Sequence, residues 1–328
     1  MLKRILTYLL LAVLAAYLIN WVYESTLNPG SLFFSKCIEQ THKWNQLLRT
    51  SPKPCYVFSG GSEVRMCIEP KIMLEKYSIR AVNAGVQAGN GVRCNAQSAL
   101  PFCKRGDTLF ISYIPGNNNL SNDGLSQGGI NFCRKTQGFS PFIDGILPLS
   151  YFSVSSLFMG SATNYAIHLM RLLTRPNCIY RYSCPQNAAI SESGRVNVFL
   201  TTEAQKVISH KDRKFNMPDL ESWKPIIKDL KKYCNEQGIK LAMFISRSHL
   251  SDKGRRDCAG VALSFMDMGL PVLKDSYLGC WPDSSMYSDT ANHLSVEAGK
   301  AYSEFLAIQI KNNQYWTRDE LLQIIYTP

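Results

Sequence analysis

Cys55-Tyr56-Val57-Phe58-Ser59-Gly60-Gly61-Ser62-Glu63-Val64-Arg65 is the stretch whose reading decides the fold. The apolar run from Cys55 to Phe58 has the pattern of a short buried strand, and the paired glycines after it mark a tight turn. Ser62 then opens a helix. Strand, glycine turn and helix in that order form one unit of an open α/β sheet, in which ligands gather beyond the carboxyl ends of the strands. A serine hydroxyl at such a position lies beside backbone N–H groups without an intrahelical partner, and these favour an oxyanion forming next to it. Serine is a weak nucleophile on its own and needs a base.

The remainder of the chain repeats this rhythm. Further candidate strands span 79–83, 108–113, 240–245 and 271–273, mostly separated by segments of helical length such as 223–237 and 253–268. The alternation predicts a parallel, doubly wound α/β sheet. Ser62, Gly89 and Asn118 each follow a predicted strand, which brings them to one sheet edge. A long stretch, 119–222, interrupts the rhythm and reads as an insertion that covers the site, with one helix at 156–173. The base is expected near the far end, in Asp289-Thr290-Ala291-Asn292-His293-Leu294-Ser295, followed by a helix over 296–310. There His293 takes the serine proton and Asp289, four residues earlier, orients the imidazole. His42, His168, His210 and His249 lack an acid at such spacing and a matching nucleophile turn, with His249 the first reserve.

At these residues the chain resembles the SGNH (GDSL-like) hydrolase superfamily, whose sequence blocks occur in a fixed order around a flavodoxin-like, three-layer α/β/α sandwich. Gly61-Ser62 matches the first block, Asn83-Ala84-Gly85-Val86-Gln87-Ala88-Gly89 the second, Gly116-Asn117-Asn118 the third, and Asp289 to His293 the last. The resemblance implies a Ser62, His293, Asp289 triad, and an oxyanion hole completed by Asn118 and by Gly89 or Gly85. The family usually has two residues between acid and histidine; three stand here, so Asp283 is a second candidate for the acid. The wording FSGGSEVRMCIEP is closest to the membrane-anchored envelope branch, which includes D-alanyl-lipoteichoic-acid transfer and alginate O-acetylation proteins. That likeness implies a serine esterase or O-acyltransferase acting on acylated glycans or envelope polymers, with a membrane-bound acyltransferase or acyl carrier as partner and no cofactor. A lipid esterase of the same fold and a non-catalytic glycan-binding adaptor are the alternatives.

Length and composition fit an exported enzyme. A chain of 328 residues with 45% hydrophobic content builds a substantial core. Lys3 and Arg4 precede an apolar run from Ile5 to Ile19 and the aromatic edge Trp21-Val22-Tyr23. Its length suits a signal anchor or transmembrane helix over 1–25, a cleaved signal peptide being the alternative, with the basic residues cytoplasmic, a linker and helix over 26–53, and an extracytoplasmic catalytic domain over 54–328. Eleven cysteines in an exported chain favour disulfides, Cys94 with Cys103 and Cys178 with Cys184 being the simplest local pairings. Clustered Cys/His spacings for zinc, a G-x-G-x-x-G dinucleotide turn and an H-E-x-x-H helix are all missing from the sequence. The net charge of +11 is scattered and does not alternate with stacking aromatics, which argues against nucleic acid and suits either an acidic glycan or lipid surface or simple solubility.

Overall fold

A computed structural model of the chain describes residues 2–22, 29–115, 127–138, 140, 144–147, 188–198, 220–250, 253–288 and 290–326. The strands among them are β1 Tyr56–Ser59, β2 Ala81–Asn83, β3 Thr108–Tyr113, β4 Ala188–Ile190, β5 Val196–Val198 and β6 Lys240–Ile245. Four of them form one sheet in the order β2-β1-β3-β6, every pair parallel, while β4 and β5 make a separate antiparallel hairpin. Beyond β6 the predicted strand at 271–273 appears as single bridges, Val272 parallel to Met243 and Leu273 antiparallel to Tyr315.

The central strands are apolar on both sides because both faces are covered, as parallel sheets require. Alternate residues feed two separate cores. Val57, Leu109 and Ile111 join one cluster with residues of α2 Pro29–Leu48, α5 Val92–Ala99, α7 Leu220–Gln237 and α8 Lys253–Asp267. Phe58, Phe110 and Phe244 join the other with Met73 of α4 Pro70–Tyr77 and with Tyr302 and Leu306 of α9 Val296–Lys311. Phe58 and Phe110, paired in the ladder, stack at 5.1 Å between ring centroids, and Phe244 meets Phe58 edge-on at 5.5 Å. Helices on both sheet faces are compatible with a three-layer arrangement. Helix α6 is Gln127–Gln137, α3 is Ser62–Cys67, and α10, Arg318–Tyr326, packs against α8.

Helix α2 is more than a connecting helix ahead of the sheet. Phe34, Cys37 and Leu48 are buried in the first core, Trp44 Nε1 donates to the Ala81 carbonyl at 2.9 Å, and Thr41 Oγ1 donates to the Asn83 carbonyl at 3.0 Å. Helix α1, Leu2–Val22, instead turns its described leucines outward, Leu6, Leu9 and Leu14 each more than half exposed. Among the described residues no helix is long and apolar enough to cross a membrane; the side chains of Val13, Ala16, Tyr17, Asn20 and Trp21 lie outside that description.

The cysteine pairing differs from the local expectation. Cys94 is bonded to Cys133, with Cα atoms 6.5 Å apart, tying α5 to α6. Cys103 is a free thiol. Cys94 sits in the first turn of α5 and Cys103 beyond its end, so about 12 Å of helix separates them, and Cys103 faces Asp107, Cys234 and Cys55. Cys178, Cys184 and the helix expected at 156–173 lie outside the described residues. Within the predicted insertion, the described parts give α6 and the β4–β5 hairpin.

Candidate functional site

The nucleophile turn is glycine for reasons of space. Neither Gly60 nor Gly61 has a left-handed backbone. A Cβ on Gly60 would lie 2.4 Å from Val64 Cγ2 and 2.7 Å from Ser112 Cβ, and one on Gly61 would lie 2.5 Å from the Ala88 backbone nitrogen. The second-block turn therefore presses directly on the residue before Ser62. Gly85 makes the same approach from the next turn: its Cβ would meet the Arg65 nitrogen at 2.5 Å and the Gly61 carbonyl at 2.8 Å. Asn83, at the end of β2, locks the two turns together. Its Nδ2 donates to the Val64 and Ile68 carbonyls at 2.9 and 2.8 Å, satisfying the end of α3, while its Oδ1 accepts from Gly85 N–H at 3.1 Å.

Ser62 and His293, separated by 231 positions in sequence, meet: Ser62 Oγ and His293 Nε2 are 2.8 Å apart. The base stands on a returning loop in which Tyr287 bridges Leu294, and Ser288 N–H donates to the His293 carbonyl at 2.8 Å. The carboxyl end of β6 supports that loop. Ser248 Oγ donates to Asn292 Oδ1 at 2.8 Å and His249 N–H to the Ala291 carbonyl at 2.7 Å. Ser295 then caps α9 by accepting from Ala298 N–H. From the nucleophile side, Cys67 contacts Asn292 O and Leu294 N, each at 3.4 Å. Burial pushes the Cys67 thiol up to about 12, so it stays a neutral packing group.

The other expected site residues divide. Gly85 N–H is engaged by Asn83, whereas Gly89 is the exposed residue of the short turn Ala88–Asn90 and has open space beside it, the nearest atom to an added Cβ being Gln87 Nε2 at 4.0 Å. Asn118 and Asp289 lie outside the described residues. Asp283, the second candidate for the acid, is engaged elsewhere. It is exposed and caps the short turn Ser284–Met286, accepting from Ser285 N–H at 2.9 Å and Ser285 Oγ at 2.7 Å. Those bonds lower its pKa. His249 Nε2 pairs with the Pro282 carbonyl at 2.9 Å, so the reserve base is a structural histidine.

Glu63 is the residue whose importance the sequence hides. It directly follows Ser62, is 1% exposed, and Oε1 accepts from Gly61 N–H at 2.9 Å. Its two carboxyl oxygens occupy the space that side chains at 60 and 61 would take, 2.6 Å from each position. Burial raises the Glu63 pKa above the ordinary carboxyl value; donation from Gly61 and Ser112 and the nearness of His293 pull it part of the way back. Glu63 also lines a cavity of about 30 Å³ with Ser59, Asn95, Ser112 and Trp223, room for roughly two water-sized groups. Ser112 Oγ is 2.6 Å from Ser246 Oγ, so hydroxyls at the ends of β3 and β6 continue the polar seam under the nucleophile.

Two buried arginines brace the site through backbone carbonyls, with no carboxylate bonded to either among the described residues. Arg65 Nε donates to Gly85 O at 2.6 Å and Nη1 to Thr41 Oγ1 and Gly194 O at 2.9 and 2.6 Å; burial pulls its pKa down to about 10, still above neutrality. Arg195, from the β4–β5 hairpin, donates through Nε to Met66 O at 2.8 Å and through Nη1 and Nη2 to Val296 O and Ser295 O, both at 3.1 Å. One guanidinium thus joins the end of the nucleophile helix to the segment just after the base. A third arginine, Arg247, ion-pairs with Asp275 and lies 4.2 Å from the Trp281 ring centroid and 4.5 Å from that of Tyr302, stiffening the end of β6.

Compared with protein-family models, with curated proteins and with solved structures, the chain matches none.

Proposed function

We propose that this chain is a serine esterase or O-acyltransferase of SGNH type that works through an acyl-enzyme on acylated glycans or polymers of the cell envelope. The observation that carries the reading is the 2.8 Å contact between Ser62 Oγ and His293 Nε2 at the carboxyl edge of a parallel sheet. A hydroxyl bonded to a neutral imidazole nitrogen loses its proton to that nitrogen as it attacks, which is what acyl transfer requires.

In this reading Ser62 Oγ attacks the ester carbonyl carbon as its proton passes to His293 Nε2. The oxyanion is held by the Ser62 and Gly89 N–H groups and by Asn118, carried over by resemblance, and Asp289 balances the imidazolium. Collapse of the tetrahedral adduct expels the alcohol, which takes the proton from His293 and leaves Ser62 acylated. Water or an acceptor hydroxyl then gives its proton to His293 and attacks the acyl carbon, and as this second adduct collapses His293 returns the proton to Ser62 Oγ, releasing the acid or the new ester. Glu63, Asn83 and the two buried arginines keep both partners in place without touching the reacting atoms.

The outward leucines of α1 support a membrane tether at the N-terminus, and Lys3 and Arg4 ahead of them favour a cytoplasmic N-terminus with the catalytic domain on the extracytoplasmic face. A disulfide between Cys94 and Cys133 agrees with an oxidising compartment. The substrate test is direct. The soluble portion is incubated with acetylated glycan, D-alanylated polymer and phospholipid, with and without a glycan acceptor. Release of a short acyl group, or its transfer to the acceptor, is expected. Turnover of phospholipid alone would make the protein a lipid esterase, and failure on all three would favour an adaptor.

A further inference from the structure

Cys258 and Cys280 stand outside the chemistry described so far, and their sulfurs are 3.6 Å apart. Both residues are almost fully buried, at 0% and 1% exposure. Cys258 lies in α8, whereas Cys280 ends the loop that follows the bridged residues Val272 and Leu273 and itself bridges Ser248. The surroundings direct one sulfur at the other. Gly254, one turn ahead of Cys258, leaves the helix face bare: a Cβ there would lie 3.4 Å from Cys280 Sγ. Leu278 and Gly279 both adopt left-handed backbone, at φ 48° and 74°, immediately before Cys280. For a buried leucine this conformation is unfavourable, and it persists only where the surroundings fix it. Gly279 cannot carry a side chain, since a Cβ would meet Ile245 Cγ2 at 2.5 Å and Ser246 O at 2.7 Å. The turn is thus pressed onto the end of β6 and presents its cysteine to α8.

We propose that Cys258 and Cys280 form a second disulfide in the mature protein, and that this bond fastens the platform on which the base-bearing loop rests. The connection to His293 runs through named contacts. Ser248 N–H donates to Gly279 O at 2.6 Å and Trp281 N–H to Ser248 O at 3.0 Å, on either side of Cys280. Ser248 Oγ then holds Asn292, the neighbour of His293, and His249 N–H holds Ala291. Tying Cys280 to α8 limits the movement of the 279–281 segment, and with it of Ser248.

The bond forms by thiol–disulfide exchange with an external disulfide, either a small molecule or a protein oxidant. One cysteine, as thiolate, attacks that disulfide and displaces a thiol; the second then attacks the mixed disulfide and displaces the other. Two thiol protons and two electrons leave the protein, and one external disulfide is reduced to two thiols. Burial opposes thiolate formation once the chain is folded, so exchange takes place while the 275–281 turn is still open, before it docks.

The test uses the full chain prepared in an oxidising compartment, and also refolded in a glutathione redox buffer. Free thiols are blocked with N-ethylmaleimide in denaturant, and the protein is digested without reduction and mapped by mass. A linked pair of peptides containing Cys258 and Cys280 is expected, next to the Cys94–Cys133 pair. Maleimide on both Cys258 and Cys280 in the folded protein, or linkage of either to another cysteine, overturns the proposal whatever the state of Cys94 and Cys133. The platform claim has its own readout. In Cys258→Ala and Cys280→Ala, hydrogen exchange at the His249 and Trp281 amides should quicken at least tenfold while amides of β1 keep their protection. A linked pair whose loss leaves those two amides unchanged would overturn the coupling to the base. Neither readout depends on catalysis, so failure of the proposed acyl chemistry is seen separately.

Discussion

The two limbs of the candidate site are fixed by different physics. The Ser62 limb is a short helix braced by charge: Arg65 and Arg195 spread their guanidinium donors over backbone carbonyls, and the Glu63 carboxyl fills the turn. The His293 limb is a loop held by neutral hydrogen bonds from Ser248, His249 and Ser288. Charged groups in a dry interior are costly to orphan, while a neutral bond to a loop is worth about 1 kcal/mol. Loss of a buried arginine of the first limb should therefore threaten the fold, and damage to the second should alter the activity of a protein that remains folded.

The largest effect is expected at Arg195. Arg195→Ala removes the donors to Met66, Ser295 and Val296 and opens a void beside Gly299, whose position already leaves no room for a Cβ against the guanidinium. A loss of about 3–5 kcal/mol is expected, read as a fall in the urea midpoint, with Arg195→Lys recovering only part of it because a lysine cannot reach three carbonyls in one plane. A change below about 1 kcal/mol would show that the guanidinium braces nothing.

Glu63 comes next, and two variants separate its roles. Glu63→Ala removes the acceptor from Gly61 N–H and empties the turn, and a drop in acyl turnover of about tenfold or more is expected, mainly in kcat. Glu63→Gln keeps an acceptor oxygen of the same shape and should restore most of that rate. Its effect on stability depends on pH. The folded carboxyl has its pKa raised above the unfolded value near 4.5. The folded state therefore holds the proton more tightly, and this contribution is complete below about pH 4.5 and declines as pH rises through the folded value. Glu63→Gln should flatten that decline. An unchanged slope of stability against pH would place the titrating group elsewhere.

Much of this is legible in the sequence because it follows from periodicity and steric need. The strand at Tyr56–Ser59, the paired glycines and the later strands at 108–113 and 240–245 follow from short apolar runs separated by helical lengths, and all are found within about one residue of the expected ends. Ser62 and His293 are identifiable because each opens or precedes a helix in a recognisable setting. Glu63 and Arg195 are not, since a charged residue in a sequence reads as surface, and only the fold shows it facing inward. Likewise Asn83, which reads as the start of a turn, proves to be the clasp between two turns. Spacing alone pairs Cys94 with its nearest candidate in sequence, while the helix directs it to one 39 positions away. Asp289 and Asn118, inferred from resemblance, lie outside the described residues.

The smallest stability effect is expected on the base limb. Ser248→Ala removes one bond to Asn292 and should lower stability by about 1 kcal/mol, yet reduce turnover severalfold by loosening His293. Equal loss of turnover and of folded fraction, with no specific effect on rate, would remove the distinction between the limbs.

The central claim is that Ser62 is an activated nucleophile because His293 lies against it. The most direct measurement is the rate of covalent labelling by a fluorophosphonate probe, followed by mass mapping of the modified residue. Wild-type protein should be labelled at Ser62 alone, Ser62→Ala should not react, and His293→Ala should react at least a hundredfold more slowly while melting at nearly the wild-type temperature. Labelling of a different serine, or a well-folded wild type that the probe leaves untouched, would contradict the account.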